Sequence, residues 1–383
     1  MKNGKRVARK NGAGTEPPEP PKTSKAGRGK RAGKPRAERK PKSKKLKIIL
    51  GSIGGVLLIG ALTLAYFFWP RIPPLPLQPT LPPQPTLPPE QQTPHPSGYT
   101  EPPEAEPQSL AFNNDIRLIL GAANYDGGNT DTIMLGALNY KEHTLNVVSI
   151  PRDTAIMVDG RRRKINSIRA LGERTQKGSG MDALALEIYN LTGIIANKTV
   201  YVPANAFKRA VDAVGGVRFN VPIRMFVLNE NIDLKAGERV LKGEEALMLL
   251  RYRGYTNNNA AGVSHDDYGR MQMQHRFLTE AAKQMLTPKN ISKIPEFVDI
   301  FDKNVTTTLE TWEMTWFATE MTKIPSENIF FHTLPTKSYK DPQTGGWYEY
   351  VKVEEMYEFL NATINPYTTD IPRDMIHADY VAQ

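Results

Sequence analysis

Ile48 to Trp69 is a run of 22 residues without a charge, and it constrains the chain more than any other stretch. At about 1.5 Å per residue, a helix of that length crosses a hydrocarbon core of roughly 30 Å. Tyr66, Phe67, Phe68 and Trp69 place an aromatic belt at one end, and Lys44, Lys45 and Lys47 stand at the other. Residues 1–47 hold 18 Lys and Arg against Glu16, Glu19 and Glu38, so the positive side belongs in the cytoplasm. A cleaved signal peptide is the rival reading, because Thr63-Leu64-Ala65 is an acceptable small-x-small site. The run is longer than a usual signal core, which favours an uncleaved anchor. The expectation is a disordered basic cytoplasmic tail (1–47), a transmembrane helix (48–69), and a single-pass cell-membrane protein with its bulk outside the cytoplasm. The net charge of +10 then reflects the tail, and the remainder is acidic. A basic tail beside a membrane span points to anchoring rather than to nucleic acid, so no nucleic-acid partner is expected. The chain has no cysteine, which excludes disulfides and thiolate chemistry.

Pro70 to Pro107 carries 15 prolines in 38 residues, with Gln-Pro-Thr-Leu-Pro-Pro duplicated at 78–83 and 84–89. Such composition reads as a polyproline II spacer, so 70–109 is expected to be an extracytoplasmic linker with a reach on the order of 100 Å. From Leu110 onward strands and helices alternate, without further linker composition. Strands are expected at 116–121, 131–138, 145–150, 200–202, 217–223 and near 329–334. Helices are expected at 181–191, 203–214, 243–250, 270–286, 310–321 and 351–360. That alternation argues for an α/β layered domain spanning 110–383.

Within it, Val147 to Ile150 ends a β-branched run, and Pro151 stops it. Arg152 is thereby placed at the carboxyl end of a strand, where open α/β sheets bind ligands. Its planar fork matches two anionic oxygens. A surface Arg-Asp pair with Asp153 is the plainer alternative. The six histidines show no metal-ligand spacing, and no histidine base can be assigned to Ser149.

Several motifs occur in register. They are Asn129-Thr130-Asp131-Thr132, Ser149-Ile150-Pro151-Arg152-Asp153, Lys164-Ile165-Asn166, Val211-Asp212-Ala213-Val214-Gly215-Gly216-Val217, Arg251-Tyr252-Arg253 and Asp267-Tyr268-Gly269-Arg270. In this order and spacing the chain resembles the LytR–CpsA–Psr family over residues 115–286 at least. The resemblance implies a single extracytoplasmic α-β-α domain with a mixed sheet. It implies a phosphotransferase that moves a glycopolymer, such as wall teichoic acid or capsule, from an undecaprenyl-pyrophosphate carrier to peptidoglycan. It also implies that Arg152, Arg251, Arg253 and Arg270 bind the pyrophosphate and that Asp131 holds magnesium, so Arg152 and Asp131 are the expected catalytic residues.

Asp153 would hold Arg152 or cap the next turn, Lys164 and Asn166 would fix the loop, and Asp212 would cap or pair. Arg251 and Arg253, two apart, would share a face if extended. Arg270 would open a helix with a stripe through Met273, Gln274, Phe277 and Met285. The chain departs from the family pattern at Ala123, where an aspartate is usual, and at Asn129 and Met273, where arginines are usual. Asp126 is the candidate to replace the missing metal ligand. The same arginines would serve two alternatives: a binding module that holds polyprenyl pyrophosphate or wall polymer without turnover, and a lipid pyrophosphatase.

Overall fold

The computed structural model describes residues 71–76, 110–125, 128–253, 267–285, 292–342 and 344–378. The expected tail, the expected membrane span, most of the linker, and Asp126 lie outside the described residues. Among the described residues no helix is long and apolar enough to cross a membrane.

Strands β1 (Ile116–Asn124), β2 (Thr132–Asn139) and β3 (Thr144–Ser149) form an antiparallel meander at the centre of a sheet. A hairpin, β4 (Ala155–Val158) with β5 (Arg161–Lys164), and helices α1 (Ile168–Thr175) and α2 (Gly180–Thr192) follow. Strand β6 (Lys198–Pro203) joins β1 in parallel, and α3 (Ala204–Ala213) leaves from Pro203. Next come β7 (Val217–Val221), β8 (Met225–Val227), β9 (Ile232–Leu234) and β10 (Gly237–Leu241), with β7 paired to β10 and β8 to β9. Helices α4 (Gly243–Arg251), α5 (Asp267–Met285) and α6 (Ile294–Asn304) lead to β11 (Thr306–Thr307), α7 (Thr311–Met321) and β12 (Ile329–Thr333). The hairpin of β13 (Thr336–Lys340) with β14 (Trp347–Val351) precedes α8 (Val353–Thr363). The central six-stranded sheet has the order β11-β6-β1-β2-β3-β12 and is mixed, as expected.

Period-two alternation sorts the sheet's two faces. Leu118, Leu120, Ile133, Leu135 and Val148 pack with Leu184 and Ile188 of α2 and Leu360 of α8. On the other face Leu138 and Ile329 meet Trp316 and Phe317 of α7. A separate core joins Phe219 and Val221 of β7 to Leu249 of α4 and Met273 and Phe277 of α5.

Helix α3 stops at Val214 because Gly215 and Gly216 take positive φ of 87° and 88°. Asp212 then accepts a hydrogen bond from the Gly243 N–H at 2.8 Å, so it caps the start of α4.

Besides helix α6, several short features went unread in the sequence: the β4–β5 hairpin, α1, the strands β8 to β11, and the β13–β14 hairpin. They are short, and their side chains alternate weakly, so tertiary contacts rather than periodicity define them. The open spacer expected over 70–109 also needs amendment at its start. Residues 71–76 lie on the domain: the buried Arg117 guanidinium donates from Nε to the Pro73 carbonyl at 2.6 Å. Leu75 and Leu110 both pack against the main core.

Candidate functional site

The turn after β3 sets Arg152. Pro151 ends the strand, and its carbonyl accepts both the Thr154 hydroxyl at 2.6 Å and the Thr154 N–H at 3.0 Å. The Arg152 carbonyl accepts the Asn166 N–H at 3.0 Å, and the Asn166 carbonyl accepts the Thr130 N–H at 2.9 Å. Asn166, two residues after β5, thus ties the Arg152 turn to the segment that carries Asp131. Asp131 is also fixed at both ends: its N–H donates to the Ala123 carbonyl at 2.9 Å, and its Oδ2 accepts the Tyr125 N–H at 3.1 Å.

Arg152, Asp131, Asp267 and Arg270 form one cluster. Arg152 Nη1 lies 3.2 Å from Asp131 Oδ1, and Arg152 Nε lies 3.2 Å from Asp267 Oδ1. Arg270 Nη2 lies 2.9 Å from the same Asp267 Oδ1 and also reaches the Asp131 carbonyl at 3.3 Å. Two guanidiniums therefore share one carboxylate. The Arg270 side chain is 1% exposed. Burial lowers its pKa; Asp267 opposes that shift, and Arg152 and Arg253 add to it. The buried Nε atoms of Arg152 and Arg270 have no hydrogen-bond acceptor, because the Asp267 contact to Arg152 Nε is close but poorly aligned. Two unsatisfied donors of this kind on adjacent cations fit a site that accepts further anionic oxygens.

The expected residues fall unequally around this cluster. Arg152, Asp131 and Arg270 meet in it. Arg251 is the last residue of α4, and Arg253 follows it beyond an extended Tyr252, so the two do not share one extended segment. Arg253 acts on Arg270 through its charge, but neither Arg251 nor Arg253 lines the cluster. Helix α5 opens at Asp267, one turn before Arg270, and its stripe ends before Met285, which is 37% exposed. Asp153 does not hold Arg152. It pairs with Lys164 at 3.2 Å and receives Asn166 Nδ2 at 3.4 Å. Arg276 does not replace the cation missing at Met273; its guanidinium lies over the Phe219 ring at 5.7 Å.

Asp267, which the sequence placed in a motif without a contact of its own, is the carboxylate that both guanidiniums meet. Its i, i+3 spacing to Arg270 on one helix was the available signal. Tyr125 was missed, and Gln274 was read only as part of the α5 stripe. Gln274 Nε2 donates to the Tyr125 hydroxyl at 3.0 Å and to the Leu250 carbonyl at 3.3 Å. The Tyr125 hydroxyl bonds Thr132 Oγ1 at 2.8 Å, and burial pushes its pKa up to about 12. The structure also brings Ser149 to a histidine, with Ser149 Oγ 2.7 Å from His275 Nε2. Ser149 is only 2% exposed, and burial holds the His275 pKa down to about 4, so the pair is a neutral packing contact.

Beside the cluster, an apolar cavity of about 190 Å³ is lined by Gly121, Ala123, Met134, Phe207, Leu250 and Leu278, with Thr132 and Gln274 at its polar end. Thr132 and Gln274 also line the arginine cluster. Among the described residues, no three His, Cys, Asp or Glu side chains converge as a metal cage. Asp131 offers one hard oxygen donor, which fits a metal that shares its shell with a bound phosphate rather than one housed by protein alone.

The model of the LytR_cpsA_psr family matches residues 112–365. A TagU of Oceanobacillus iheyensis, named a polyisoprenyl-teichoic acid–peptidoglycan teichoic acid transferase, is 28% identical over 242 residues, covering 62% of this chain and 72% of that protein. The crystal structure of Bacillus subtilis TagV superposes with a TM-score of 0.53 at 23% identity, covering 70% of this chain and all of that one. A structure of TagT bound to LIIa-WTA gives 0.52 at 20% identity, covering 64% of this chain and 88% of that chain. These two likenesses carry the fold. The family match spans the six-stranded sheet and every residue of the arginine cluster, and the chain belongs to the LytR–CpsA–Psr family.

Proposed function

We propose that this chain transfers a glycopolymer from a polyprenyl-pyrophosphate carrier to peptidoglycan. The observation that carries the reading is the sharing of Asp267 by Arg152 and Arg270 at the polar end of an apolar cavity. A donor with an apolar tail and a pyrophosphate head needs those two environments side by side. The named activity of the Oceanobacillus iheyensis relative supports the same donor and acceptor. The cluster is filled as it stands, so the head group exchanges with the Asp267 carboxylate for the guanidiniums.

In the transfer, an acceptor hydroxyl oxygen bonds to the phosphorus that carries the polymer. The bond from that phosphorus to the bridging oxygen breaks, and its electron pair leaves with polyprenyl phosphate. The departing phosphate takes up the hydroxyl proton. Arg152 and Arg270 stabilise the charge that develops on the phosphoryl oxygens. Magnesium, when bound, would add charge neutralisation at the phosphate, with Asp131 and Asp126 as its protein ligands. A tail inside the cell, one membrane span and an outward-facing domain complete the reading, since both substrates belong to the outer face.

The test is an assay of the purified full chain in detergent with a lipid-linked glycopolymer donor and peptidoglycan. The expected products are peptidoglycan-bound polymer and polyprenyl phosphate. Polymer phosphate released to water instead would mean a pyrophosphatase. Tight donor binding without turnover would mean a binding module.

A further inference from the structure

A second pocket adjoins the arginine cluster and shares no lining residue with the apolar cavity. It has a volume of about 350 Å³ and is lined by Pro151, Asp267, Met271, the turn after β12, and Glu349 of β14. Asp267 and Met271 also line the cluster, just as Thr132 and Gln274 join the cluster to the apolar cavity. The cluster therefore shares a wall with each of two spaces, one apolar and one of mixed polarity.

We infer that this second pocket receives the acceptor glycan, a hydroxylated sugar that presents one hydroxyl to the arginine cluster. The inference rests on the transferase reading. In phosphoryl transfer the attacking and leaving oxygens lie roughly in line across the phosphorus. The leaving polyprenyl phosphate is held towards the apolar cavity, so the nucleophile enters from the opposite side.

The pocket's chemistry suits that entrant. Thr333, Thr336, Ser338 and Glu349 supply hydroxyls and a carboxylate for ring hydroxyls, and Tyr268, 51% exposed, offers a ring face. No lysine or arginine lines the pocket, so it is not built for a second polyanion. Its volume falls within the range of about 300–1,000 Å³ common for small-ligand sites.

The wall is also rigid. Glu349 accepts hydrogen bonds from the Thr336 hydroxyl at 2.8 Å and from the Ser338 hydroxyl. Its N–H donates to the Asp153 carbonyl at 2.9 Å, which ties the β13–β14 hairpin to the Arg152 turn.

The experiment uses the purified full chain in detergent with Tyr268→Ala and Glu349→Gln. Short soluble peptidoglycan glycan strands serve as acceptor, and donor and acceptor are titrated separately. Each variant is expected to raise the acceptor KM about tenfold, the scale of one lost contact. The donor KM should stay within about twofold. Calorimetry of the strands alone should show binding to wild type that each variant weakens to the same degree. A rise in donor KM instead would place the donor's own first sugar in the pocket and overturn the inference. Unchanged acceptor KM and strand binding in folded Tyr268→Ala would overturn it too, as would a wild type that does not bind the strands. Strand binding that the variants weaken, in a wild type that transfers no polymer, would keep the subsite and reject the transferase reading. Tyr268 is a surface residue, so its variant stays informative if Glu349→Gln misfolds.

Discussion

Replacing Arg152 with lysine keeps the charge and removes the fork. In the wild type, Nη1 and Nε reach two different carboxylates, Asp131 and Asp267, each at 3.2 Å. One ammonium on a flexible stem can meet only one of them. Both carboxylates are partly exposed, so losing one ion pair costs about 1 kcal/mol of stability after solvent screening. For a domain of this size that lowers Tm by about 2–4 °C. The effect on transfer is larger, because the phosphoryl oxygens lose a charge-assisted hydrogen bond worth about 1.5–3 kcal/mol. At about 1.36 kcal/mol per decade, kcat/KM should fall roughly 10- to 150-fold. Transfer rates and thermal melts of the full chain measure both quantities. A lysine variant within about threefold of wild type would remove the bidentate grip from the mechanism. A melting loss of about 10 °C or more would make Arg152 chiefly structural.

Three further outcomes are expected. Ala123→Asp places a carboxylate opposite Thr132, one strand from Asp131, and should tighten magnesium binding by the free chain, whereas Asp131→Asn should remove it; titration calorimetry with and without a polyprenyl pyrophosphate decides both. His275 is held neutral down to about pH 4 when folded, against 6.5 for the ordinary side chain, so the unfolded chain takes up the proton first. The stability that neutral His275 confers is complete above pH 6.5 and is lost as pH falls towards 4, on the order of 2 kcal/mol after discounting for partial exposure, and His275→Asn should flatten that slope in denaturant titrations. Gly243→Ala would set a Cβ 2.3 Å from the Lys208 carbonyl, where α4 crosses α3, and should cost about 1–3 kcal/mol in a melt or denaturant series.

The sequence disclosed the parts of this molecule that repeat or stop sharply. Alternation marked the meander of β1, β2 and β3, and Pro151 marked the end of the strand that presents Arg152. The glycines at 215 and 216 marked the end of α3. It disclosed less wherever a residue's role depends on a distant partner. Asp153 looked like the natural mate of its neighbour Arg152, yet Lys164 across the β4–β5 hairpin takes it. Asp267, more than a hundred residues away, takes Arg152 instead. Ser149 meets His275 only because α5 lies across the sheet, and no spacing rule foretells that contact.

The docking of residues 71–76 changes what the proline-rich segment can do. Leu75 and Leu110 pack against one core, and Arg117 grips the Pro73 carbonyl. The chain thus meets the same body on both sides of residues 77–109. A pull on residue 71 is therefore borne first by the contacts of Pro73 and Leu75, ahead of the rest of the proline-rich segment. A protease cut between 77 and 109 would leave the two fragments held together at Pro73 and Leu75. Arg117→Ala would weaken that joint and shift part of the load beyond it.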